Sequence, residues 1–129
     1  MIKAAPNPCG SCPYRRDVPS GIWAVSEYDK LPSYDGETFE QVNATNLFMC
    51  HQRDGSLCAG WLACHDPQEL LACRLHWREL DPSVFTYKTK VPVFGSGAEA
   101  RRHGLRGIAA PGGRAQKMIV GLLKSSLRK

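Results

Sequence analysis

The chain has 129 residues, one domain's worth, and its 43% hydrophobic and 22% charged composition is that of an ordinary globular protein rich in turns, with 12 Gly and 9 Pro. No apolar run approaches the roughly 20 residues needed to cross a bilayer, and the opening MIKAAPNPCG lacks the apolar middle of a secretory signal, so a cytoplasmic protein without a membrane partner is expected. The net charge of +5 is unevenly placed: from Arg101 onward there are eight Lys or Arg and no Asp or Glu, against nine positive and twelve negative charges before it.

Residues 1–21 contain four prolines, two glycines and the CGSC element, a composition that suits a rigid ligand-bearing loop better than regular structure. Ser26 and Glu27 open a short predicted helix through Leu31, stopped by Pro32, with Trp23, Tyr28, Leu31 and Tyr34 toward the interior. Residues 37–41 give a weak helical signal, and NLFMCH (46–51) reads as a short buried strand that delivers Cys50. Asp54-Gly55 is a turn signal, and LCAGWLACH (57–65) follows as an apolar stretch in which Gly60 disfavours a helix.

Asp66-Pro67-Gln68-Glu69 combines an N-cap, a proline at the first helical position and an early Glu, predicting a helix from Pro67 to about Leu80. Leu70, Cys73, Trp77 and Leu80 recur at helical spacing, with Leu71 and Leu75 widening an inward stripe. Asp81-Pro82 breaks it. Residues 84–87 and 91–94 are β-rich runs that can pair, Pro92 placing the second at an edge or bulge. Ser96 with Glu99 forms a capping box for a short helix ending at Gly104, and Ala115, Met118, Ile119, Leu122 and Leu123 trace one face of a final helix.

In a reducing compartment six cysteines do not read as a disulfide framework, which turns attention to metal ligation or redox chemistry. Cys9 and Cys12 have the two-residue gap that lets both thiolates of one tight turn reach the same ion. Cys50 and Cys58, folded together by the turn at residues 54–55, complete a four-thiolate set, with Cys64, His51 and His65 as alternates for the fourth position. A dipositive ion lowers thiol pKa values and its binding contributes directly to folding, which suits a loop-rich chain. The seven residues between Cys50 and Cys58 exceed the typical two to four of a zinc knuckle, and Pro13 after Cys12 is reminiscent of iron-sulfur loops. Zinc, with the higher base rate, stands slightly ahead of an iron-sulfur cluster. Cys73, within the helical stripe, reads as a core residue, and His76 and His103 as surface or helix-end residues.

The run PCGSCPYRRDVPSGIW, with YDKLPSYD, FMCHQRDGSLCAGW and VFGSGAEARRHGL, resembles a family of small cysteine-containing proteins of unknown function from actinobacteria and their phages. The resemblance implies that Cys9, Cys12, Cys50 and Cys58 recur as a set, with Arg15, Asp17, Pro19 and Trp23 around the first loop. It implies no activity.

The expected fold is α+β: a small, loop-rich single domain with short strands and three to four helices, organised around a cysteine-ligated metal centre. The expected function is a metal-stabilised binding or regulatory module rather than an enzyme, since no nucleophile with an adjacent base or acid/base pair stands out. Arg15, Asp17 and Trp23 are candidates for steadying the ligands or for contacting a partner such as a host protein. One alternative is nucleic-acid binding through Arg101, Arg102, Arg106, Arg114 and Lys117. Another is iron-sulfur redox sensing with the same ligands. A thiol oxidoreductase is disfavoured, because eight residues with two prolines leave no room for the strand that should precede its CxxC.

Overall fold

The computed structural model describes residues 1–43, 45–50, 53 and 55–127, with side chains of the last helix through residue 124. Among the described residues it is a small α+β fold with six α-helices, three 3-10 turns and a two-stranded sheet. The sheet pairs β1 (Lys3–Ala4) in parallel with β2 (Ser56–Leu57), Lys3 opposite Ser56 and Ala4 opposite Leu57. Isolated bridges extend this core: Ile2 to Leu80 in parallel, Arg15 to Val93 and Met49 to Leu57 antiparallel.

Helix α1 (Val25–Asp29) is followed by a 3-10 turn at Leu31–Tyr34, where Pro32 occupies an early position that needs no N–H donor. Tyr28 and Leu31 are buried as expected. Helix α2 (Phe39–Val42) is capped by Thr38, whose hydroxyl accepts from the Gln41 N–H. The strand expected at 46–51 reduces to the single bridge at Met49, and His51 lies outside the described residues.

Helix α3 (Ala59–Cys64) forms despite Gly60. A Cβ at residue 60 would meet Cys12 Sγ at 2.5 Å and Tyr14 Cβ at 2.7 Å, so the glycine makes room for the CxxC loop to pack on the helix. Packing decides here against a propensity penalty of about 1 kcal/mol.

The long helix expected from Pro67 is broken. A 3-10 turn at Pro67–Glu69 ends at Leu70, whose backbone is extended, and α4 (Leu71–Leu75) is one short stretch. Asp66 accepts from the Gln68 N–H, so the start signal was real, but it governs only one turn. Leu70, Cys73 and Leu80 are buried, whereas Leu75 and Trp77 are 60% and 58% exposed, which a continuous stripe would not allow. Leu80 is held elsewhere, by the bridge to Ile2.

The β-rich runs do not pair with each other. Pro82–Thr86 forms a 3-10 turn, and Val93 bridges to Arg15. Helix α5 (Gly97–Arg106) starts at Ser96, whose hydroxyl accepts from Glu99 N–H, and runs past Gly104, which is buried against the Tyr28 ring where no Cβ fits. Helix α6 (Gly113–Leu127) lays Ala115, Met118, Ile119 and Leu122 on Val18 and Ile22, while Leu123 faces outward. The main core joins Cys12, Tyr14, Tyr28, Leu31, Phe48, Leu57, Cys58 and Trp61 around the sheet and α3.

Candidate metal centre

The CxxC element is a tight turn in which the Cys12 N–H donates to the Cys9 carbonyl at 2.9 Å and the Arg15 N–H to that of Cys12 at 3.0 Å. Trp23 fixes the turn from the side, its indole N–H donating to the Ser11 carbonyl at 2.8 Å. Arg15 braces it from the other: one guanidinium nitrogen donates to the Pro8 carbonyl at 3.0 Å, and two others form a bidentate pair with Asp17 at 2.8 Å each. Arg114 donates to the Asp17 carbonyl, attaching α6 to the same loop. The Arg15 guanidinium holds the Asp17 carboxyl below the usual carboxylate range.

Cys50 and Cys58 arrive on two arms that fold back on each other through the Met49–Leu57 bridge. The Cys50 N–H donates to the Ser56 carbonyl at 2.8 Å and the Cys58 N–H to the Phe48 carbonyl at 2.9 Å. Cys58 stands at the start of α3, one turn from the glycine against which Cys12 packs. Cys9 packs on the small cluster of Ala5, Cys50 and Ala59.

All four cysteines are free thiols, and three are chained by direct interaction. Hydrogen bonding with Cys12, then burial, pushes the Cys9 thiol up. Hydrogen bonding with Cys58 pushes Cys12 up in turn, partly offset by Cys9. The four sulfurs are thus neighbours, but in a chain. Among the described residues, no group of three or more His, Cys, Asp and Glu side chains is arranged to hold a metal ion, so the metal-centred organisation expected from the sequence is not present as a formed cage. Two features nevertheless fit a bound group: the glycine cradle that seats Cys12, and the buried Tyr14 hydroxyl, which has no hydrogen-bond partner among the described residues.

The alternates for the fourth ligand are differently engaged. His65 places Nε2 2.8 Å from Asp35 Oδ1 and Nδ1 2.9 Å from the Trp61 carbonyl, so both ring nitrogens face acceptors. The Cys64 thiol donates weakly toward the Gly60 and Trp61 carbonyls at 3.5 and 3.6 Å, and burial with the Asp35 charge pushes it up to about 12. Cys73 is core, its thiol pushed up to about 11 by burial. His76 is paired with Glu79 at the surface, and His103 faces the Val18 carbonyl at 2.8 Å.

The profile of a family of unknown function, DUF6283, matches residues 4–122. The chain belongs to that family. The match spans the CxxC turn, both later cysteines and most of α6, so the whole candidate centre lies inside the family's shared region. No curated protein and no solved structure matches the chain.

The sequence reading passed over Tyr14 and Asp35. Tyr14 directly follows the CxxC-Pro element, which is a usable signal; Asp35 meets His65 only through a separation of thirty residues, which is not.

Proposed function

We propose that this chain is a small metal-binding protein in which Cys9, Cys12, Cys50 and Cys58 hold one ion, zinc in preference to an iron-sulfur cluster, and that it acts as a binding or regulatory module rather than an enzyme. Zinc would supply no reaction here; it would cross-link the CxxC turn to the arms bearing Cys50 and Cys58 and so stabilise the fold. The observation that carries the reading is the thiol chain from Cys9 through Cys12 to Cys58, with Cys50 beside Cys9. Clustered uncharged thiols gain little from one another, whereas a dication would stabilise all their thiolates at once. A set of four protein thiolates also leaves no open position for water, which opposes hydrolytic chemistry.

Disulfide exchange fits less well. It favours a lowered thiol at a strand end opening a helix, whereas Cys9 and Cys12 lie in a turn and both are raised. Elemental analysis of protein purified anaerobically without added metal is the decisive experiment. Zinc near one equivalent per chain, lost on Cys12→Ser or Cys58→Ser, supports the reading; a brown, iron- and sulfide-containing preparation shifts it to a redox-sensing cluster on the same ligands; protein free of both metals overturns it.

A second reading, nucleic-acid binding by the C-terminal segment, draws on the exposure of Arg102, Arg106, Arg114 and Lys117 in a stretch without acidic residues. Arg101 is tied to Asp29 at 2.8 Å instead. A mobility-shift assay across salt tests this: no affinity even at low salt excludes it.

A further inference from the structure

Tyr14 is fully buried, and its hydroxyl has no hydrogen-bond partner among the described residues. A buried hydroxyl without a partner is costly and uncommon. The ring cannot swing out to water, because it stands edge-on to Phe48 at 5.8 Å and to His65 at 6.1 Å, while its Cβ is wedged against Gly60. The Phe94 N–H donates to the Tyr14 carbonyl at 2.8 Å and fixes the backbone as well. The hydroxyl is held where it is.

What surrounds it is mostly sulfur. The ionisable groups acting on the phenol are, in decreasing order, Cys64, Cys58, Asp35 and Cys12. Asp35 is already occupied, accepting from His65 Nε2 and from the Gly97 and Ala98 N–H groups. Cys64 is turned toward the carbonyls of its own helix. The remaining neighbours, Cys58 and Cys12, share the core cluster with Tyr14, and Cys12 Sγ and Tyr14 Cβ abut the same point on Gly60.

A neutral thiol is a weak acceptor; a metal-bound thiolate is a good one. We infer that Tyr14 is a positioning residue of the metal site, its hydroxyl donating to the sulfur of Cys58 or Cys12 when those thiols are deprotonated by a bound ion. This rests on the four-cysteine reading above and deepens it. Loading replaces thiol protons by the ion, releases them to solvent, and gives the orphaned O–H its acceptor. Partners of this kind orient ligands, and their removal typically weakens metal affinity about tenfold or more.

The test compares the full-length wild-type chain with Tyr14→Phe, each reduced, stripped of metal and titrated anaerobically with Co²⁺ and then Zn²⁺ in competition with a chelator of known affinity. The expected result has three parts. The metal-free variant melts at or above the wild-type temperature, because an unpartnered hydroxyl has been removed; its metal affinity falls roughly tenfold; and its thiolate-to-cobalt absorption band shifts. Equal affinity with an unchanged band would overturn the inference, as would destabilisation that is the same with and without metal. If the wild type itself takes up neither ion, the four-cysteine reading fails and takes this inference with it, an outcome distinct from equal binding by both proteins. Should Tyr14→Phe prove insoluble, the assigned Tyr14 Cζ resonance of ¹³C-tyrosine wild type decides: a shift on loading supports the inference and none overturns it.

Discussion

His65 and Asp35, thirty residues apart in sequence, form a buried pair with Nε2 and Oδ1 2.8 Å apart, their side chains 11% and 4% exposed. Asp35 also accepts from the Gly97 and Ala98 N–H groups at 2.6 and 2.9 Å, so one carboxylate joins the end of the first 3-10 turn, the end of α3 and the start of α5. Replacing it leaves three donors buried without an acceptor. Asp35→Ala is expected to lower the unfolding free energy by about 3–5 kcal/mol, read from urea denaturation followed by tryptophan fluorescence. A change below about 1 kcal/mol would mean that the donors find other partners.

Gly60 gives a case where two effects of opposite sign can be weighed. Alanine would gain up to about 1 kcal/mol of helix propensity, but its methyl would stand 2.5 Å from Cys12 Sγ and 2.7 Å from Tyr14 Cβ. Both neighbours are pinned, so overpacking of about 1–3 kcal/mol should win. Gly60→Ala should therefore lower the melting temperature, and in the metal-loaded protein it should also weaken metal retention against a chelator, since Cys12 is what it displaces.

Chelation separates the proposed ligands from the other cysteines. Stripping metal from the native protein should destabilise it by an amount bounded by the order of 10 kcal/mol seen for structural zinc, and thermal melts with and without chelator measure it. Cys9→Ser, Cys12→Ser, Cys50→Ser and Cys58→Ser should each remove that chelator sensitivity, whereas Cys73→Ala should preserve it while costing stability through a small core cavity.

Thiol reactivity should follow burial and pH. With Cys73 pushed up to about 11 and Cys64 to about 12, roughly one Cys73 thiol in a thousand is thiolate at pH 8. Alkylation of the native protein by iodoacetamide should leave both largely unmodified at that pH, with the rate rising as pH climbs toward those values, whereas the unfolded chain should react at both. Peptide mass spectrometry distinguishes the two positions. Rapid native-state labelling of Cys73 would contradict its placement in the core.

Much that was legible in the sequence was local. The caps at Thr38, Asp66 and Ser96 depend on bonds spanning two or three residues, and the inward face of α6 depends on 3.6-residue periodicity. The run from Pro67 to Leu80 misled because its spacing suited one helix while Leu80 was claimed by Ile2, a contact that nothing within the run announces. The same holds for the candidate centre. CxxC and the four-cysteine grouping could be read directly, but the exclusion of His65 needed Asp35, and the orphaned Tyr14 hydroxyl is visible only once Phe48, Gly60 and His65 have closed around its ring.

The pairing of the first residues has a temporal corollary. Lys3–Ala4 hydrogen-bonds to Ser56–Leu57, and Ile2 exchanges backbone bonds with Glu79 and Asp81 at 2.6 and 2.7 Å. A ribosome adding about 5–20 residues per second needs several seconds to reach those partners. Throughout that interval Cys9 and Cys12 have left the exit tunnel ahead of the segments that shelter them, so the nascent chain passes through a window in which its sulfurs are open to oxidants and to scavenging of whatever ion is at hand.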